Sequence, residues 1–262
     1  MIRALYTAAS GMSAQQANLD TIANNLANSG TTGFRQRQMQ FADMIYQNLV
    51  APGSAQSTST QSDGLQIGLG TRSVASEVVM TQGDFTQTGS TLDLAVQGTG
   101  FFPISMPDGT TAYTRAGNFH MNNQGTMVTA DGNPLVPNIT IPSNATAVTI
   151  SQYGVVSATL PGQNTTSQLG TIQLATFANP GGLSALGGNL FQQTSASGNA
   201  ITDVPGGSSG MGTLQQGYLE NSNVDVTAEF VQMIEAQRAY ESNSKVVHVA
   251  DDMYSQINGL VR

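Results

Sequence analysis

The chain of 262 residues carries 9% charged residues, 29 glycines, no cysteine and a formal net charge of -8. It is long enough to bury a core, and the missing cysteine removes disulfides, thiol catalysis and thiolate metal sites. The charge divides as +1 over 1–50, -6 over 51–223 and -3 over 224–262, which leaves no basic patch for nucleic acid.

The first predicted element is a helix from Ile2 to Ala27. Ile2, Leu5, Ala9, Met12, Gln16, Leu19, Ala23 and Leu26 recur at alternating steps of three and four, and Asn28, Ser29 and Gly30 supply a stop. The opening MIRALYTAASGMSAQQ has no uninterrupted apolar region, and no run approaches the ~18 apolar residues of a membrane span. If the protein leaves the cytoplasm, it is expected to do so without a cleaved signal of ordinary form. Thr31 to Phe34 then lead into a mixed segment, Arg35 to Leu49, that suits a short helix or an extended arm. The stretch APGSAQSTSTQSDG reads as a polar loop or linker.

From about Leu65 onward the pattern becomes that of an all-β unit. Short β-prone runs such as DLAVQ, GFFPISM, TAYTRAGNF and TIQLATF alternate with turn markers, of which Asp108-Gly109 and Asp131-Gly132 are the clearest. A second long helix is predicted from near Asp225 to about Leu260. Val226, Phe230, Met233, Gln237, Tyr240, Ser244 and Val247 repeat at heptad steps, and Val246, Ala250, Met253, Ile257 and Leu260 continue on a rotated line. Glu241 and Lys245 have the spacing of an i,i+4 pair, and Arg238 is expected either to pair with Glu235 or Glu241 at an interface or to stand as a solvated charge.

The resulting fold class is mainly β with long α-helical termini. A central β domain at 65–220 lies between an N-terminal helix at 1–30, an arm and linker at 31–64, and a C-terminal helix at 221–262, with the terminal helices pairing as a coiled coil. Leu5, Met12, Leu19, Leu26, Phe230, Met233, Gln237, Tyr240 and Val247 form the expected self-assembly interface. The same stripes also permit a two-helix hairpin within one chain.

Chemistry finds little support. Gly98 and Gly100 lack the G-x-G-x-x-G spacing of a phosphate loop, and a close backbone approach is the better reading. His120 and His248 have no second metal ligand at a suitable spacing, and Asp84, Asp93, Asp108 and Asp131 are better explained by turns and caps than by a catalytic pair. No catalytic residue, cofactor or metal is predicted.

Two stretches are specific enough to point to a family. NNLANSGTTGF, residues 24 to 34, resembles the N-terminal signature of bacterial flagellar axial proteins, the rod and hook subunits, and NSNVDVTAEFVQMIEAQRAYESNSKVV, residues 221 to 247, is similar to their C-terminal signature. Asn24, Asn25, Asn28, Gly33, Phe34, Asn223, Gln237, Arg238 and Tyr240 carry the match. GDFTQTGSTLDLAVQGTGFF at 83–102 and DGTTAYTRAGNFHMNNQGTMV at 108–128 are similar to the family's β domain, and the length and GLQIGLGTR favour its distal-rod branch.

The resemblance implies a non-enzymatic subunit of the distal rod that polymerises into a rigid hollow tube, transmits torque and passes export substrates. Its implied partners are further copies of itself, proximal-rod and hook subunits, the surrounding basal-body rings and the type III export apparatus, with no nucleic acid or small-molecule substrate. The implied location is the flagellar basal body, in a rod spanning the periplasm and outer envelope. The alternative is a secreted β-rich enzyme or glycan-binding module with a helical oligomerisation stalk. Absent tryptophan and 6% aromatics argue against glycan binding.

Overall fold

Two helices bracket the chain in the computed structural model, which describes residues 2–50, 55–56, 59–60, 64–162, 166–207 and 209–260. The chain divides into a helical unit of Met1–Ala27, Arg37–Val78 and Asp225–Arg262, and a β unit of Asn28–Gln36 and Val79–Val224. It is mainly β with N- and C-terminal helices.

In the helical unit α1 spans Ile2–Ala27 and α2 spans Val226–Leu260. At 1.5 Å per residue they are about 39 and about 52 Å long. Asp225 caps α2, its Oδ1 accepting the backbone N–H groups of Thr227 at 2.9 Å and Ala228 at 3.2 Å. The helices pack antiparallel: a Cβ on Gly11 would lie 2.8 Å from Nδ2 of Asn243, and Asn25 bonds Glu229. The buried apolar side chains along this contact are Ala8, Ala14, Ile22, Ala236 and Ala250. Small residues set the close approach, so little apolar area is hidden there.

Between the helices the chain forms a two-stranded ribbon. Strands β1 (Arg37–Asp43), β2 (Tyr46–Val50), β3 (Ala55–Gln56), β4 (Ser59–Thr60), β5 (Leu65–Gly68) and β6 (Thr71–Val78) nest as antiparallel pairs β1 with β6, β2 with β5 and β3 with β4. A bulge interrupts the first pair at Gln40/Phe41. Of the two forms that suit 35–49, a short helix or an extended arm, the chain takes the extended one, as β1 and β2, whereas 65–78 is the returning side of the ribbon rather than the start of the β domain. Part of the predicted linker, 51–54, 57–58 and 61–63, lies outside the described residues.

The β unit contains β7 (Phe85–Gln87), β8 (Leu94–Gln97), β9 (Phe102–Ser105), β10 (Thr111–Thr114), β11 (His120–Met121), β12 (Met127–Val128), β13 (Ala147–Ile150) and β14 (Val155–Thr159). It continues with β15 (Thr166–Thr171), β16 (Leu174–Thr176), β17 (Ser184–Gly187), β18 (Leu190–Gln192), β19 (Ile201–Asp203), β20 (Thr213–Gln216) and β21 (Tyr218–Glu220). A four-stranded sheet in the order β17-β18-β10-β9 forms its largest piece, with β13-β14-β15 beside shorter pairs such as β8 with β20 and β7 with β21.

The strand period of two explains the core. Phe102, Ala112, Leu174 and Leu190 join one apolar cluster with Ile104, Phe119 and Met127. Their neighbours Phe101, Tyr113, Ala175 and Phe191 join a second cluster with Phe177 and Leu183. Successive side chains point to opposite faces, and both faces are covered. The predicted Asp108-Gly109 turn joins β9 to β10, with the Asp108 carboxylate accepting the backbone N–H of Thr110 at 2.9 Å. Bonds from Thr110 hold the Asp108 carboxyl below its ordinary range.

Candidate assembly interface

Several signature residues are fixed by the backbone beside them. Asn25, buried on α1, accepts the Arg37 N–H at 2.9 Å and donates to the Arg37 carbonyl at 2.8 Å and to Glu229 Oε1 at 3.2 Å. Its amide thus takes the place of a strand partner for Arg37. Asn223 has a parallel role in the β unit. It accepts the Gln36 N–H at 2.7 Å and donates to the carbonyls of Val79 at 2.9 Å and Thr81 at 3.0 Å. Asn28 accepts from the Thr31 hydroxyl at 3.2 Å, Phe34 accepts the Asn223 N–H at 3.4 Å, and Asn24 is an exposed residue of α1.

Gly33 has φ +69°, and a Cβ there would lie 2.6 Å from the Ala116 nitrogen. Gly33→Ala is therefore expected to destabilise the β unit by about 2 kcal/mol or more, because backbone must move as well as adopt a left-handed conformation. Gly30→Ala, where a Cβ meets nothing within 4 Å, should stay within about 0.5 kcal/mol of the parent. Urea midpoints of the two variants check this.

Glu220, 1% exposed, anchors the β unit electrostatically. Its Oε1 lies 2.8 Å from Arg35 and accepts the Gly83 N–H at 3.1 Å, while its Oε2 lies 2.6 Å from Nε of Arg115. Arg115 also donates to the carbonyls of Val96, Gly98 and Gly100. Burial pushes the Arg115 guanidinium below its ordinary range, and the Glu220 charge opposes that shift. The glycine pair singled out in the sequence therefore offers carbonyls to a cation, the reverse of a phosphate cradle. Sequence reasoning passed over Glu220 and Arg115, which lie 105 positions apart and form no local pattern.

The predicted helix seam overlaps the observed α1–α2 contact only in part. Leu5, Met12, Leu19, Leu26, Met233 and Val247 are half-buried, while Gln237, Tyr240 and, at 49% exposure, Phe230 are exposed. The face of α2 turned to α1 instead follows Glu229, Met233, Ala236, Asn243, Val247 and Ala250. Met233 and Val247 lie on both lines, but the fully buried apolar positions of α2 in this contact are Ala236 and Ala250, so a reading weighted by hydrophobic size lands partly beside it. The side chains of Ile2 and Leu260 lie outside the described residues. Arg238 is exposed, and among the described residues it forms no ion pair with Glu235 or Glu241, nor does Glu241 with Lys245. An exposed helix surface gives such pairs little to gain.

What remains uncovered is concentrated in the helical unit. On α2, Phe230, Val231, Ile234, Val246, Val249, Met253 and Ile257 are exposed, and on the ribbon Ile45 reaches 84%, with Tyr46, Leu49, Leu65 and Val74 also exposed. Of the exposed large apolar residues described, only Met121, Tyr153, Leu186, Ile201 and Val204 belong to the β unit. A two-stranded ribbon is marginal alone, and apolar surface on this scale marks a contact face. Sequence reasoning missed Ile234, Ile45 and Tyr46; Phe230 and Ile234 at i,i+4 carried a usable signal.

Nothing in this arrangement resembles a reaction centre. Asp93 is held by the Thr88 hydroxyl at 2.6 Å, His120 and His248 are exposed, and no group of three potential metal ligands gathers among the described residues. Nor is any described helix long and apolar enough to cross a membrane.

Three family models match the chain: the flagella basal body rod protein model at 5–35, the flagellar hook protein FlgE/F/G D1 domain at 95–158, and the flagellar basal body rod FlgEFG protein C-terminal model at 215–260. A flagellar basal-body rod protein FlgG of Caulobacter vibrioides is 50% identical, covering 96% of this chain and 97% of its own length. FlgG proteins of Borreliella burgdorferi and Bacillus subtilis are 46% and 41% identical and cover 100% of both chains. The hook protein FlgE2 of Helicobacter pylori, a solved structure, is 16% identical over 71% of this chain and 43% of its own, with a TM-score of 0.25. Similarity sustained from end to end at these identities means that the chain belongs to the FlgG family of flagellar basal-body rod proteins, structural subunits of the rod and not enzymes.

Proposed function

We propose that this chain is a distal-rod subunit whose exposed helical and ribbon faces bury against further copies, building a stiff hollow tube. The observation that supports this reading most is the gathering of exposed apolar side chains on α2 and on the ribbon, whereas the β unit closes its own core. Helices of this length gain their stability chiefly from packing, and burial between subunits would offset the entropy of ordering them. Leu5, Met12, Leu19, Leu26, Phe230, Met233, Gln237, Tyr240 and Val247 contribute to that interface. Phe230 faces neighbours, the half-buried residues lie on or beside the α1–α2 contact, and together the helices form a coiled-coil assembly.

Family membership extends the proposal to the setting. Proximal-rod and hook subunits continue the tube at its two ends, basal-body rings surround it, and the rod spans the periplasm and outer envelope. The type III apparatus exports the subunit without cleavage of a signal. The tube transmits torque and passes export substrates. Electron microscopy of the purified protein at high concentration tests the central claim: straight tubes with an axial channel are expected, and a protein that stays monomeric at every concentration overturns it.

A further inference from the structure

We propose that the cleft lined by Arg35, Met80, Thr99, Phe101, Thr176 and Phe177 in the β unit is a socket for a carboxylate. It has a volume of about 150 Å³, space for several water-sized groups. Arg35 is only 5% exposed, and its Nε is a buried donor with no hydrogen-bond partner. Its other nitrogens are engaged, one with Glu220 at 2.8 Å and one with the Thr81 carbonyl at 2.5 Å. A buried guanidinium with an idle N–H is a feature folded proteins rarely keep without a reason.

Charge points the same way. Arg35 and Arg115 share one carboxylate, Glu220, whose two oxygens already serve both arginines and the Gly83 N–H. The buried cluster thus holds one uncompensated positive charge, and the rest of the lining is neutral. Gln82 does not answer the donor: its amide donates to the Val96 carbonyl at 2.6 Å and accepts the Gly98 N–H at 3.2 Å. Nε is sealed from solvent, so an entering carboxylate reaches it only as the lining yields; it then gains a charge-assisted bond in a site of low dielectric, and its apolar stem meets the rings of Phe101 and Phe177. Met80, unbranched and half-buried, is the wall that can give way to admit it. The ligand is either a free small carboxylate or an Asp or Glu side chain of a second copy.

The first test uses the full-length monomer, so it does not depend on the proposed polymer. In ¹H–¹⁵N spectra at constant ionic strength, the Arg35 Nε–H resonance is expected to shift saturably with acetate and to ignore acetamide, the neutral isostere. Thr176→Glu supplies a carboxylate from within the cleft. It is expected to abolish the acetate response and to raise the melting temperature, whereas an unpaired buried carboxylate lowers it. No acetate response in the parent, or a Thr176→Glu variant that melts earlier than the parent, overturns the proposal. Treating Thr99→Lys polymers and parent polymers with a carbodiimide distinguishes the sources: covalent dimers formed by the variant and not by the parent identify a side chain of a second copy, and no such difference with the acetate response intact identifies a free carboxylate.

Discussion

Glu220→Ala is expected to lower the melting temperature of the β unit by roughly 8–16 °C, the equivalent of about 4 kcal/mol. The reason lies in what the substitution leaves behind. Arg35 and Arg115 stay buried with no counter-charge, and the Gly83 N–H loses its acceptor. Breaking one member out of a buried ionic group costs more than the group contributes as a whole, because the remaining charges keep their desolvation penalty. Arg115 also loses the interaction that opposed the downward pull of burial on its guanidinium. Glu220→Gln retains an acceptor but not the charge and should fall between parent and Ala. Asp131→Ala, in an exposed turn, should change stability by no more than about 0.5 kcal/mol. Near-UV circular dichroism during heating reads all three, and an unaltered midpoint for Glu220→Ala would show that the buried triad is not what holds the β unit together.

The elements that were legible in the sequence have local causes. Heptad steps, the Asn-Ser-Gly stop and the Asp225 cap define α1 and α2 because each signal lies within one or two turns of the helix it governs. The uninterrupted pair Phe101-Phe102 likewise announces a sheet covered on both faces. The ribbon was obscure for a physical reason. TRSVASEV is exposed at all but its two ends and no residue of RQMQFAD is fully buried, so the ribbon has no buried inside to impose a strong hydrophobic alternation. Glu220 was obscure because its partners Arg35 and Arg115 come together only through the fold. The helix seam shows a third limit. Periodicity fixes that a stripe exists, while Gly11 and the buried alanines, through the close approach they permit, fix which line of that stripe meets α1 and which is left for another chain.

That separation of two lines on one helix leads to the second large effect. Phe230→Asp is expected to raise the protein concentration needed for polymerisation by about a thousandfold, equivalent to about 4 kcal/mol per contact. About 2 kcal/mol of this is the apolar burial of the ring that is lost, and the remainder is desolvation of the new carboxylate. Phe230 is 49% exposed and lies beside Glu229, which faces α1, so the monomer should tolerate the change with its helix content and melting temperature intact. Ala236→Asp reverses the pattern. Ala236 is buried at the α1–α2 contact, and a carboxylate there should disrupt the helical unit before any assembly step. Sedimentation of the polymer and circular dichroism of the monomer, measured on both variants, separate the roles. Phe230→Asp polymers forming at the parental concentration would remove this face of α2 from the subunit interface, and a melted Phe230→Asp monomer would place the residue in the intramolecular contact instead.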